Sequence, residues 1–133
     1  MTRPKTISHV GVAVKDLESR VAFYRDILGL ELIHEEVVAD QKVRAAMLRL
    51  GESTLELLSP TDETSPVAKF LAKRGEGIHH LALSVTDIEA RLEELAAAGV
   101  RLIDRSPRAG AHGKKVAFIH PESTGGVLLE LCE

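Results

Sequence analysis

Four residues carry donor atoms in a pattern that bears on chemistry: His9, Glu56, His80 and Glu130. His9 and His80 stand 71 positions apart, each inside a stretch of alternating apolar residues. Glu56 and Glu130 each stand between leucines, in Leu55-Glu56-Leu57 and Leu129-Glu130-Leu131. In a strand, alternate residues face opposite sides. If the leucines meet a core, both glutamates turn to the other face, where the histidines also point. An ionised carboxylate on such a face needs a partner, since burying one alone is costly. A divalent cation satisfies all four groups together. Two imidazoles and two carboxylates suit a borderline-to-hard ion, and leave about two positions of an octahedron for water or substrate. A closed structural zinc site would draw on cysteines, and the chain has only Cys132.

The elements that must position these groups follow from an internal repeat. Ile7-Ser8-His9-Val10-Gly11-Val12-Ala13-Val14 aligns with Ile78-His79-His80-Leu81-Ala82-Leu83-Ser84-Val85, and Asp16 falls on Asp87. Thr54 to Leu58 likewise matches Leu128 to Cys132. Each copy opens on a period-two strand with His9, Gly11 and Ala13, or His80, Ala82 and Ser84, on one face. Asp16 and Asp87 are N-caps, and apolar positions 17, 21, 24, 28 and 88, 92, 95 form one helical stripe each. Gly29 and Gly99 end the helices. Three strands follow in each copy, near 31–38, 43–50 and 53–59, then 101–103, 116–120 and 126–132. A helix over Ser65–Lys73, with Pro66 in its first turn, links the copies, and Arg105–Lys115 is a loop. The expected fold is α+β: two tandem βαβββ modules forming a curved mixed sheet around a metal cleft. The chain is taken as one domain over 1–133, with modules of about 5–60 and 77–133 and the linking helix at about 65–74.

Other polar residues divide by their setting. His79 precedes His80 in a strand and is expected on the opposite face, so only His80 is counted as a ligand. His34 reads as a surface strand residue, and His120, before Pro121, as structural. His112 and Lys114, in Gly110-Ala111-His112-Gly113-Lys114, are candidates to line the cleft and bind substrate. Lys69, Lys73, Arg74 and Lys115 are further cations that an anionic ligand could meet. Tyr24 reads as core and Cys132 as a cleft-wall residue. A net charge of −3 and an aromatic content of 3% argue against nucleic-acid binding. No run of some 18 apolar residues predicts a membrane span, and the first residues lack an apolar signal core. One cysteine fits a reducing cytoplasm.

These residues resemble the vicinal oxygen chelate (glyoxalase/bleomycin resistance) superfamily, and within it the methylmalonyl-CoA epimerases. The most specific stretches are Ser65-Pro66-Val67-Ala68-Lys69-Phe70-Leu71, Gly77-Ile78-His79-His80-Leu81, Gly110-Ala111-His112-Gly113-Lys114, and His120-Pro121 through Gly125-Gly126-Val127-Leu128-Leu129-Glu130-Leu131. The resemblance implies one divalent ion per chain, Co2+ first, with Mn2+, Mg2+, Ni2+ or Zn2+ as alternatives. It implies interconversion of (R)- and (S)-methylmalonyl-CoA by proton abstraction next to the thioester carbonyl, through an enolate that the metal stabilises. It also implies a CoA thioester as the small-molecule partner and a homodimer. Some members carry a glutamate on the third strand as a proposed base, and Gln at the first-half ligand position. Here those positions hold Ala45 and Glu56. The acid–base pair expected instead is Glu56 and Glu130. A glyoxalase I-type isomerase resembles the chain in fold and ligand set, but His120-Pro121 with Gly125-Gly126 departs from its usual turn. A metal-free binding protein of the same fold would lack the four ligands and rely on aromatic residues.

Overall fold

Alternation in the strands decides how this chain packs. The computed structural model describes residues 3–133. Its strands are β1 (Ile7–Ala13), β2 (Glu31–Val38), β3 (Val43–Leu50), β4 (Ser53–Pro60), β5 (Gly77–Ser84), β6 (Arg108–Ala109), β7 (Lys115–Ile119) and β8 (Leu129–Cys132). Its α-helices are α1 (Leu17–Ala22), α2 (Pro66–Arg74) and α3 (Ile88–Ala97). The strands form one mixed sheet in the order β2-β3-β4-β1-β5-β8-β7-β6. The opening strand of each half pairs parallel with the closing one, β1 with β4 and β5 with β8. β1 and β5 pair antiparallel and join the halves at the centre of the sheet. The order strand–helix–three strands occurs twice along the chain, with α2 between.

One face of the sheet is covered by α1 and α3. Val14, Leu17 and Val21 pack there against Ala46, Leu48 and Leu57. Val85, Ile88 and Leu92 pack against Ala117, Ile119 and Leu131. Burying such a side chain contributes about 2 kcal/mol each, which fixes Leu57 of β4 and Leu131 of β8 on this face. Period two then turns Glu56 and Glu130 to the other, concave face. There Ala13, Val38, Val43, Ala45 and Leu58 meet Val67 of α2. Ser65 caps α2 by accepting from the Val67 N–H at 3.2 Å. Asp16 and Asp87 cap α1 and α3 through Ser19 and Ala90. Gly29 and Gly99 end the helices at φ 87° and 83°, where other residues are strained.

Several local expectations are corrected. The first helix widens into a π turn over Phe23–Ile27, closed by the Leu28 N–H to the Phe23 carbonyl at 3.0 Å. That shift of register leaves Leu28 57% exposed, so the buried stripe ends at Tyr24. The strand expected at 101–103 is a single bridge between Leu102 and Ile119, because Asp104 takes the Phe118 N–H with its side chain. Its place in the sheet goes to Arg108 and Ala109, inside the expected loop. The last strand begins at Leu129 rather than 126, because the Gly126 N–H closes a turn onto the Pro121 carbonyl at 2.9 Å.

His79 departs most from strict alternation. Along β1 and β5 the register slips twice, leaving Ser8 and His79 as extra residues. Such a bulge cancels the side-to-side alternation locally. His79 therefore lies on the same side as His80, beneath Phe70 of α2, with ring centroids 5.0 Å apart. His34 is likewise no plain surface residue: it stands on the concave face opposite Met47.

Candidate metal centre and cleft

The registers place the four donor residues in two neighbouring rows across the sheet. One row runs Met47, Glu56, Gly11, His80. The next runs Thr54, His9, Ala82, Glu130, Phe118. Each row sets the carboxylate of one half and the histidine of the other on either side of a small residue. Strands lie about 4.8 Å apart, so the two donors of a row face each other over the small residue. That residue has to be small. A Cβ on Gly11 would lie 2.2 Å from Cε1 of His80.

All four donors are at most 7% exposed. His9 Nε2 lies 3.1 Å from His80 Nε2, 3.4 Å from a Glu130 oxygen and 3.8 Å from a Glu56 oxygen. His80 Nε2 lies 3.5 Å from the other Glu130 oxygen. Donor atoms of His9, Glu56 and His80 all fall within 4.8 Å of one another. Each histidine is held at its other nitrogen by the bulged residue before it. The Ser8 hydroxyl reaches His9 Nδ1 at 3.1 Å, and His79 Nδ1 reaches His80 Nδ1 at 3.0 Å. Both Nε2 atoms therefore point into the cluster, the arrangement by which outer partners aim metal-binding imidazoles.

The electrostatics fit a cation. Burial pushes Glu56 up to about 7, with the neighbouring charges of Glu130 and Glu36 adding and that of His9 opposing. Burial depresses His9, but the Glu130 contact and the charges of Glu56 and Glu130 overcome it and raise its pKa. Burial, then His9 and His79, hold His80 well below its ordinary value. One oxygen of Glu130 is buried without a hydrogen-bond partner among the described residues. Two ring nitrogens face to face and two carboxylates, one of them with an orphaned oxygen, make a donor set that a divalent ion completes. The expected ligands thus fit such an ion.

His9, Glu56 and Glu130 form the floor of a cavity of about 310 Å³, while His80 lines a second cavity of about 140 Å³ with His79 and Phe118. The walls of the first include Ile33, Met47, Arg49, Ala111, His112, Lys114 and Cys132. His112 and Lys114 thus line the same cavity as His9, Glu56 and Glu130. Lys115 turns away to pair with Glu89 at 3.1 Å. Lys69, Lys73 and Arg74 line a separate groove beside Phe70 and Pro121. His120 accepts the Glu122 N–H and holds a turn. Unforeseen in the sequence are Ser8 and His79 as orienting partners, the spacer role of Gly11 and Ala82, and Glu36 and His34 at the rim. The repeat carried a signal for the first two pairs, since Ser8 falls on His79 and Gly11 on Ala82.

The model of the Glyoxalase/Bleomycin resistance protein/Dioxygenase superfamily matches residues 8–118. The ethylmalonyl-CoA/methylmalonyl-CoA epimerase of Cereibacter sphaeroides is 42% identical over 127 residues, covering 94% of this chain and 95% of its own. The structure of methylmalonyl-CoA epimerase from Mycobacterium tuberculosis superposes with a TM-score of 0.95 at 42% identity, over 99% of this chain and 89% of that one. A methylmalonyl-CoA epimerase in complex with methylmalonyl-CoA and NH4+ gives 0.94 at 43% identity, over 98% and 94%.

Proposed function

The chain belongs to the Glyoxalase/Bleomycin resistance protein/Dioxygenase superfamily and, within it, to the methylmalonyl-CoA epimerases, and from that premise we propose how its cleft interconverts (R)- and (S)-methylmalonyl-CoA. The observation that supports the mechanism is that donor atoms of buried His9, Glu56 and His80 lie within 4.8 Å of one another, with Glu130 oxygens 3.4 and 3.5 Å from the two histidines. His9, Glu56, His80 and Glu130 hold one divalent ion, Co2+ in first place, with Mn2+, Mg2+, Ni2+ or Zn2+ as alternatives. Such an ion supplies a Lewis acid that lowers the cost of charge on the substrate's carbonyl oxygens.

The reacting carbon stands between the carboxylate and the thioester carbonyl. One glutamate takes its proton, and the electron pair of the broken C–H bond passes to the thioester oxygen. The carbon becomes planar. The other glutamate enters the cycle protonated and gives its proton to the opposite face, which forms the epimer; the two glutamates finish with their protonation exchanged, and proton exchange with water resets them. Glu56 and Glu130 are the pair assigned to this exchange, because they stand on opposite sides of the imidazole pair, in different rows. His112 and Lys114 bind the anionic end of the substrate, a role supported by their place in the cavity wall. Domain 1–133 acts as one unit in this reading, because neither half holds the complete ligand set.

A homodimer is part of the same reading, supported by the exposed apolar residues Phe23, Ile27 and Leu28 and tested by light scattering. A cytoplasmic location is supported by the single free cysteine, Cys132, and tested by fractionation. Among the described residues, no helix is long and apolar enough to cross a membrane. The decisive experiment is deuterium incorporation at C2 of methylmalonyl-CoA in D2O. Metal-loaded protein should exchange this position and chelated protein should not. Absence of exchange in the loaded protein removes the mechanism.

A further inference from the structure

A polar cluster at the rim of the cleft joins the two halves and is not used by the mechanism above. Glu36 of β2 accepts the backbone N–H of His112 and pairs with His34 Nε2 at 2.9 Å through the same oxygen. The His34 ring stacks on the His112 ring, with centroids 4.4 Å apart and planes 11° from parallel. His112 holds a left-handed backbone, φ 60° and ψ 33°, which a non-glycine residue adopts only when contacts hold it there. The turn is closed on itself by the Gly110 N–H to the Lys114 carbonyl at 2.9 Å and the Lys114 N–H to the Ala111 carbonyl at 3.2 Å. A second tie lies beside it, Arg108 to Asp40 at 3.7 Å. Both ties run from the first half to the segment of β6 and turn that precedes β7.

We propose that Glu36 is a positioning residue: with His34 it clamps the 110–114 turn of the second half onto β2 of the first and so sets His112 and Lys114 against the anionic end of the substrate. This rests on the epimerase reading for its kinetic consequence and on geometry alone for the clamp. β2 is an edge strand, and Glu36 and His34 are about one-third exposed. Neither side chain belongs to the core, so substitution tests the clamp without threatening the fold. Glu36 stays ionised at neutral pH: burial opposes its charge, but the His112 N–H and the His34 ring outweigh burial and lower its pKa. A charged acceptor makes the stronger kind of hydrogen bond.

The test pairs amide hydrogen exchange, read on peptides spanning 108–116, with steady-state epimerisation kinetics. In Glu36→Ala, exchange at the turn should rise about tenfold or more, the worth of one charge-assisted hydrogen bond. KM should rise by about fivefold or more, with kcat changed less than KM, because binding groups lose their place while the ligand cluster keeps its own. Glu36→Gln retains an acceptor oxygen and should recover most of the protection and most of the KM. Unchanged exchange in Glu36→Ala overturns the clamp. An equal loss of kcat in both variants with protected amides also overturns it, since Glu36 would then act on the reacting atoms. If the wild-type protein does not epimerise methylmalonyl-CoA, the proposed function falls, and the exchange arm still decides the clamp.

Discussion

Replacing Gly11 by alanine should weaken the metal centre without substituting any of its ligands. Gly11 stands directly across from His80 in the β1–β5 pairing. An added Cβ would lie 2.2 Å from Cε1, 2.4 Å from Nδ1 and 2.7 Å from Nε2 of that ring, where ordinary contact begins at 3.4 Å. The ring must therefore retreat by more than about 1 Å, in an interior packed as densely as a molecular crystal. Phe118 and His79 press on it with ring centroids at 5.6 and 5.2 Å, so the retreat is resisted. Metal–ligand distances tolerate only about 0.2 Å. Losing an outer partner alone costs about 10- to 100-fold in metal affinity, so displacing a ligand by this much should cost at least about 100-fold. Overpacking should also destabilise the metal-free fold by about 1–3 kcal/mol. The assay is Co2+ binding by calorimetry or by competition with a chromophoric chelator. Gly77→Ala is the control, on the same strand pair, with nothing within 4 Å of its added Cβ and no left-handed backbone. Gly11→Ala protein that binds Co2+ within about threefold of wild type would refute the reasoning, since the row geometry would then not constrain His80.

Ser8→Ala and His79→Ala should each weaken Co2+ binding about tenfold, read by the same titration, because each removes the group that aims an imidazole at the centre. Lys114→Met should raise KM for methylmalonyl-CoA about tenfold and leave metal affinity unchanged, since Lys114 lines the cavity wall. Glu56 keeps its proton up to about 7 in the metal-free fold against an ordinary 4.5, chiefly through burial. A folded-state value raised in this way adds stability that is complete below about 4.5 and is lost as pH rises through about 7, up to ~3 kcal/mol. Thermal melts of chelated protein should therefore fall from about pH 5.5 to about pH 8 more steeply than those of Glu56→Gln, and equal slopes would contradict the burial. Metal binding must displace the same proton, so calorimetry should find more protons released per ion at about pH 6 than at about pH 8.

Two features of the chain were legible before any coordinates. Apolar alternation with a 71-residue echo gives two copies of a strand–helix–three-strand pattern. Leucines flanking each glutamate turn both carboxylates from the helical face, because a strand has only two faces and the leucines claim one. Composition and periodicity are local, and they recover what local physics dictates. They failed at His79 and Leu28, where a bulge and a π turn each insert a residue into the local register and turn that side chain from its expected face. Such slips depend on the partner strand or on packing, which a single segment does not record.

Pairing across the sheet was decided by tertiary structure alone. The sequence places a histidine and a glutamate in each half, yet the structure sets each histidine in line with the glutamate of the other half, across Gly11 or Ala82. That exchange follows from the antiparallel join of β1 to β5, a contact between residues some seventy positions apart. Likewise Glu36 and His112 are distant in the chain and meet only because the sheet curls. Which residues can share a face is a property of period. Which residues share a site depends on register and curvature, and those are set by the whole fold at once.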